Sequence, residues 1–353
     1  MNLFGGEQRM VATLDDTKRS AIGMKLANMK AVQQLLIDNE QLFLRESNDS
    51  EVSDRLRKML EDDQKNMGIL DTVVVQYGVQ SQPEQTVTQM VETVQNLMQG
   101  SELNLYEKVF QHELLKHQQV MTGLTIHKAA QKVGADVMMA IGPLNTINFE
   151  NRAHQEQLKG ILEVLGVREL TGQDADQGIW ARVQDAMAAL SGVFGSVTTQ
   201  NSDKSDMNIQ DLIRMDHAKV NTLFTQLLAT NDSQKIQEYF GQIYKDLLVH
   251  SIAEEKVVYP AVRPYYGEDN TQELYDEQAQ LRVLLDEIKA LSPSSPVFKD
   301  KIKKVMDEVG DHIRQEESTM FATIRNNFSS EQSEQMATKF KAAKSEEQVK
   351  MAK

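Results

Sequence analysis

His250-Ser-Ile-Ala-Glu254-Glu255 returns roughly sixty residues later as His312-Ile-Arg-Gln-Glu316-Glu317, and this doubling limits the chain's folding more than any other feature. Residues four apart on a helix lie one above the other, so each copy presents an imidazole and a carboxylate to one point in space. The copies also continue alike. Lys256-Val257-Val258-Tyr259-Pro260-Ala261-Val262 follows the first and Ser318-Thr319-Met320-Phe321-Ala322-Thr323-Ile324 the second, with apolar and aromatic positions matching. A further pair precedes them, Asp216-His217-Ala218-Lys219-Val220 against Glu277-Gln278-Ala279-Gln280-Leu281, each opening an amphipathic run.

The order His217, His250, Gln278, His312 has intervals of roughly thirty residues, which suit one helix plus a turn. An up-down-up-down bundle of four such helices brings the four positions to similar height in its core. Turns are expected at Thr230 to Ser233, Pro260 to Asp269 and Ser292 to Pro296, with Asp206 or Asn208 capping the first helix. Three imidazoles and two or three carboxylates, in a chain without cysteine, suit iron, manganese or zinc better than copper(I) or an iron-sulfur cluster.

Through Asp216-His217, His250-x-x-x-Glu254 and His312-x-x-x-Glu316-Glu317, residues from about 207 to 330 resemble the hemerythrin family in its branch of HHE cation-binding domains. The resemblance implies a non-haem di-iron centre in a four-helix bundle. By position, His217, His250 and His312 would be terminal ligands and Glu254 and Glu316 bridges, with Glu317 the rival for the second bridge. The family normally places a histidine where this chain has Gln278, which leaves one iron short of nitrogen donors. A neutral amide is a weak ligand, so Gln278 belongs to the site either directly or through a metal-bound water. Iron comes from the resemblance; donor chemistry alone leaves zinc and manganese open. The expected function is binding or sensing of oxygen, peroxide, nitric oxide or iron, with a diatomic gas or peroxide as partner. A di-iron oxidase or peroxidase is one alternative, and a structural or interaction protein with vestigial metal affinity is the other.

Low aromatic content, six prolines and long polar-apolar periodicity predict an all-α chain of two helical bundles in tandem. The divisions expected are a bundle over 1–195, a linker over 196–206, the hemerythrin-like bundle over 207–330 and a polar tail over 331–353. The first bundle faintly resembles a ferritin-like bundle through Gly68-Ile69-Leu70-Asp71 and Gly160-Ile161-Leu162-Glu163. A ferritin-like site needs Glu-x-x-His on two helices. Glu113 to His117 and Glu150 to His154 are instead spaced four apart, and the other candidates, Glu46, Asp62, Asp63, Glu107 and His112, leave the pattern incomplete. This bundle is read as a scaffold or as a docking surface for a protein partner, with Trp180 packing between the two units.

The net charge of −14 speaks against a nucleic-acid surface and equally against an anionic membrane. The amino terminus shows no signal-peptide pattern and no run reaches membrane-spanning length, which predicts a cytoplasmic protein. No phosphate-binding loop, Gly-x-Ser-x-Gly turn or cysteine nucleophile offers a catalytic residue.

Overall fold

A computed structural model describes residues 16–176, 178–194 and 207–352, and all regular structure within them is helical. The expected linker over 196–206 lies outside the described residues. The amino-terminal unit comprises α1 (Asp16–Glu46), α2 (Ser50–Tyr77), α3 (Gln85–Gln99), α4 (Leu105–Val133), α5 (Ala135–Ala140), α6 (Leu144–Thr171) and α7 (Ile179–Phe194). Helices α1, α2, α4 and α6 form one bundle, with α3 lying on α1 and α7 on α6. Trp180, expected between the two units, packs within this first one. Its ring fills the space that the absent side chain of Gly160 leaves on α6, and the Arg55 guanidinium lies 3.8 Å over it.

The second unit is built from α8 (Ile209–Ala229), α9 (Ser233–Ala253), α10 (Tyr259–Tyr266), α11 (Glu268–Lys289), α12 (Pro296–Gln315), α13 (Phe321–Asn327) and α14 (Ser330–Met351). Asn208 caps α8 by accepting from the Asp211 amide at 3.0 Å, and Asp232 caps α9 by accepting from the Gln234 and Lys235 amides. The turn expected from Pro260 to Asp269 is mostly helix. Pro260 follows directly on a π-helical turn, and the chain breaks only at Gly267, whose φ of +97° favours glycine.

Helices α9 and α12 do not end at Glu254 and Glu316. Each passes through a five-residue π-helical turn, Glu254–Val258 and Glu316–Met320, before continuing as α10 and α13. The wide turn leaves carbonyls short of their usual amide donors, and in the second copy the hydroxyls of Ser318 and Thr319 take up Arg314 O at 2.6 Å and Gln315 O at 2.7 Å. Such turns inside α-helices often mark functional sites. Two apolar clusters flank them. One includes Ile213, Tyr259, Phe321 and Phe340; the other includes Val220, Leu223, Phe240, Leu285 and Val309.

The segment 331–353, expected as a polar tail, contributes α14, which lies along α8 and α9. Met336, Ala337, Phe340 and Ala343 recur at helical spacing and are buried, which explains the docking. The same helix also reaches the first unit. All four final carbonyls of α2 are satisfied: Val74 O by the Gly78 amide, Val75 O by Gln348 at 2.9 Å, and Gln76 O and Tyr77 O by Lys219 at 2.9 and 3.3 Å. A second tie is ionic. Arg19 on α1, itself 1% exposed, donates to both oxygens of Asp136 at 2.8 and 3.3 Å and to Glu238 on α9 at 3.4 Å. No helix among the described residues is long and apolar enough to cross a membrane.

Candidate metal centre

Between the two apolar clusters, His217 from α8, His250 from α9 and Glu254 and Glu316 from the π-turns bring one ligand atom each to within 4.8 Å of one another, all four residues buried. Nε2 of His217 lies 3.3 Å from Glu316 Oε2, and Nε2 of His250 lies 3.1 Å from Glu254 Oε2. His217 Nε2, His250 Nε2, Glu254 Oε1 and Glu316 Oε2 make no hydrogen bond in this arrangement. Four buried polar atoms from four residues, converging without partners, are what a cation with nitrogen and oxygen ligands would satisfy.

His312 stands on the far side. Its Nε2 is 3.2 Å from Glu316 Oε1 and 3.0 Å from the Gln278 amide nitrogen, which also reaches Glu254 Oε2 at 3.1 Å. Gln278 therefore does face the centre from α11. Glu317 does not. It stands behind His217, accepting from Nδ1 at 2.8 Å, and its side chain is one-third exposed.

Each histidine is backed in this way by a carboxylate at Nδ1: His217 by Glu317, His250 by Asp216 at 2.9 Å and His312 by Glu277 at 2.5 Å. A carboxylate there fixes the ring's orientation and leaves Nε2 free for a metal. Asp216 is buried, and Lys344 of α14 donates to its other oxygen at 2.5 Å. Although burial opposes ionisation, Lys344 and His250 hold Asp216 well below the usual carboxylate range. Lys344 lies in the segment expected as a tail, and nothing in its local sequence marked it. Lys344→Met should lower metal affinity by about 10 to 100-fold with helicity retained, and Lys344→Arg should restore most of it, as read by competition with a chromophoric chelator. Equal affinity in all three proteins would show that α14 does not support the centre.

Tyr259 was likewise missed as a site residue. Its hydroxyl donates to Glu316 Oε1 at 2.8 Å and lies 3.3 Å from Glu254 Oε2, 3.3 Å from His312 Nε2 and 3.1 Å from the Gln278 amide nitrogen. Burial, with the carboxylates of Glu254 and Glu316, raises its phenol well above the ordinary value. Against burial, which would lower it, Glu254 and Asp216 push His250 up to about 10, and Glu316 and Glu277 raise His312 well above its usual value. Burial and the neighbouring Glu316 raise Glu254, whereas against burial His312 and His217 keep Glu316 ionised. Because the folded value of His250 exceeds the unfolded one near 6.5, its protonation stabilises the metal-free fold below that value, and this contribution is lost as pH rises towards 10.

A cavity of about 20 Å³ adjoins the histidines, bounded by His217, His250, Gln278 and His312 on one side and by Val220, Leu247, Leu281, Val309 and Ile313 on the other. That volume holds about one water-sized molecule.

The family model described as the hemerythrin HHE cation binding domain matches residues 208–324. Over 342 residues the chain is 69% identical to a Nostoc protein called DNA nickase, covering 97% of each chain. It is also 25% identical over 139 residues to a hemerythrin-like protein of Schizosaccharomyces pombe, covering 38% of this chain and 68% of the yeast one. No solved structure matches. The HHE domain and the buried histidine and glutamate group together identify the second unit as metal-binding.

Proposed function

Because the chain belongs to the family of the Nostoc DNA nickase and carries a hemerythrin HHE domain, we propose that it nicks DNA in a metal-dependent reaction. The observation that carries this reading is an identity of 69% that runs through both helical units and not the HHE domain alone. This reading takes DNA as a partner, against the expectation of no nucleic-acid surface. That expectation rested on the net charge of −14, a sum over the whole chain, whereas phosphate contact depends on local lysines and arginines.

His217, His250, Glu254 and Glu316 would hold one metal, and His312 with the shared Glu254 and Glu316 a second; iron is the metal the domain suggests. At the second position Tyr259 would supply the donor that Gln278 does not, its phenol releasing its proton to solvent on binding. When bound, the metals would supply Lewis acidity or electron transfer. The chain's own part is to fix three imidazoles through Glu317, Asp216 and Glu277 and to keep bulk water from the carboxylates. Tyr259→Phe should abolish a phenolate-to-iron charge-transfer band in the visible spectrum of the iron-loaded protein while leaving the metal-free fold intact. A wild-type protein without that band, or a band that survives the substitution, removes Tyr259 from the ligand set.

A second reading, oxygen, peroxide or nitric oxide bound at the centre, is favoured by the small cavity beside the histidines, whose size suits a small molecule. Supercoiled plasmid incubated with iron-loaded protein tests both. Nicks that form without oxygen and reseal with ligase support metal-assisted hydrolysis; nicks that require oxygen or peroxide and resist ligase support an oxidative break. An unrelaxed plasmid under every metal and oxidant condition sinks the nicking proposal and leaves the small-molecule reading.

A further inference from the structure

Where the two units meet, α2 and α5 of the first and α8 of the second enclose a cavity of about 180 Å³, apart from the one beside the histidines. Its polar lining is Gln76, Arg214 and Lys219. Met139, Ala140, Met215 and Ala218 make up the apolar remainder. Two cationic side chains therefore border the space, and among the described residues no carboxylate does.

The three polar residues differ in what they have left to offer. Lys219 is fully engaged: its ammonium meets Gln76 O at 2.9 Å, Tyr77 O at 3.3 Å and Asp246 Oδ2 at 2.9 Å, one acceptor for each N–H. Gln76 is not. Its backbone is held by Lys219, yet its side-chain Nε2, in a buried residue, makes no hydrogen bond. Arg214 is half-exposed and lies over the Phe321 ring at 4.8 Å. Its nearest carboxylates, Asp211 at 3.6 Å and Glu317 at 4.0 Å, stand beyond hydrogen-bond reach. A buried amide donor and a guanidinium fork, both without acceptors, call for a ligand that brings acceptor oxygens.

We propose that this cavity binds a small organic carboxylate, its oxygens accepting from Gln76 Nε2 and the Arg214 guanidinium and its apolar body lying against Met139 and Met215. The size fits such a molecule. An apolar cavity of about 150 Å³ is enough to take up benzene, and methionine side chains adapt to an irregular shape. A guanidinium matches a carboxylate with two parallel hydrogen bonds, and Lys219 adds positive charge without spending a donor. The ligand touches both units, so its binding holds them together. One helix then serves two sites: α8 gives Asp216 and His217 to the metal centre, and Arg214, Met215, Ala218 and Lys219 to this cavity.

Calorimetric titration of the full-length chain with benzoate, benzamide and benzamidinium, which share one shape and differ in the head group, tests this. Benzoate should bind at least about fivefold more tightly than neutral benzamide, and benzamidinium should not bind. Arg214→Met and Gln76→Leu should each weaken benzoate by about 10 to 100-fold, the usual loss of a hydrogen bond to a charged group. Both variants should fold, since Arg214 is half-exposed and Gln76→Leu removes a buried donor that has no partner. No benzoate binding by the parent, equal binding of the three probes, or parent-like affinity in either folded variant overturns the proposal. Repeating the titration with a chelator present separates the two sites: affinity that is lost with the metal places benzoate at the metal centre and overturns the proposal, and affinity that is retained supports it.

Discussion

His250→Ala combined with His312→Ala should strip the protein of metal, bringing content below a tenth of the wild-type value, and plasmid nicking should fall with it. The two side chains come from the two copies of the repeated motif, so the pair of substitutions removes a proposed nitrogen donor from each side of Glu254 and Glu316. Loss of an outer partner alone typically costs 10 to 100-fold in metal affinity, and loss of a direct donor on both sides should exceed about 100-fold. The fold should survive. Asp216 keeps Lys344 as its counter-charge after His250 is gone, and both apolar clusters remain closed. Elemental analysis with far-ultraviolet circular dichroism checks the first part. Full metal content in a folded double variant would place the metal elsewhere; full nicking by a metal-free one would separate the activity from this centre.

Arg19→Met should destabilise the chain by about 3–5 kcal/mol, the usual loss when one partner of a buried ion pair is removed. Arg19 and Asp136 are both fully enclosed, and Asp136 would be left with a charge and neither guanidinium hydrogen bond. Because Glu238 belongs to the second unit, the same change cuts one of the ties between the units. Denaturant unfolding should shift to lower concentration and broaden as the units begin to melt separately. Adding Asp136→Leu should recover a large part of the loss, since an apolar pair of similar volume carries no desolvation cost. An unchanged midpoint would show that water reaches Asp136.

The positions of the site show what a chain's periodicity can and cannot reveal. His250 with Glu254 and His312 with Glu316 were legible because four residues make nearly one helical turn, and copies of the motif repeat it. Tyr259 was not. It follows Glu254 by five residues, a spacing that an α-helix sends to a different face and a π-helical turn returns to the same one. The turn itself has no strong sequence signature beyond the following Pro260. Lys344 was hidden for another reason. Its partner Asp216 lies 128 residues away, so only the packing of the bundle brings the two together.

The position of Lys344 also bears on where a module ends. The recognisable HHE segment closes at residue 324, yet the positive charge that holds Asp216, and through it His250, enters from twenty residues beyond. A domain trimmed to the matched segment would carry every proposed ligand and still lack part of the electrostatic frame that aims one of them. The boundary of sequence kinship and the boundary of the working centre are different lines, and the second one passes through α14.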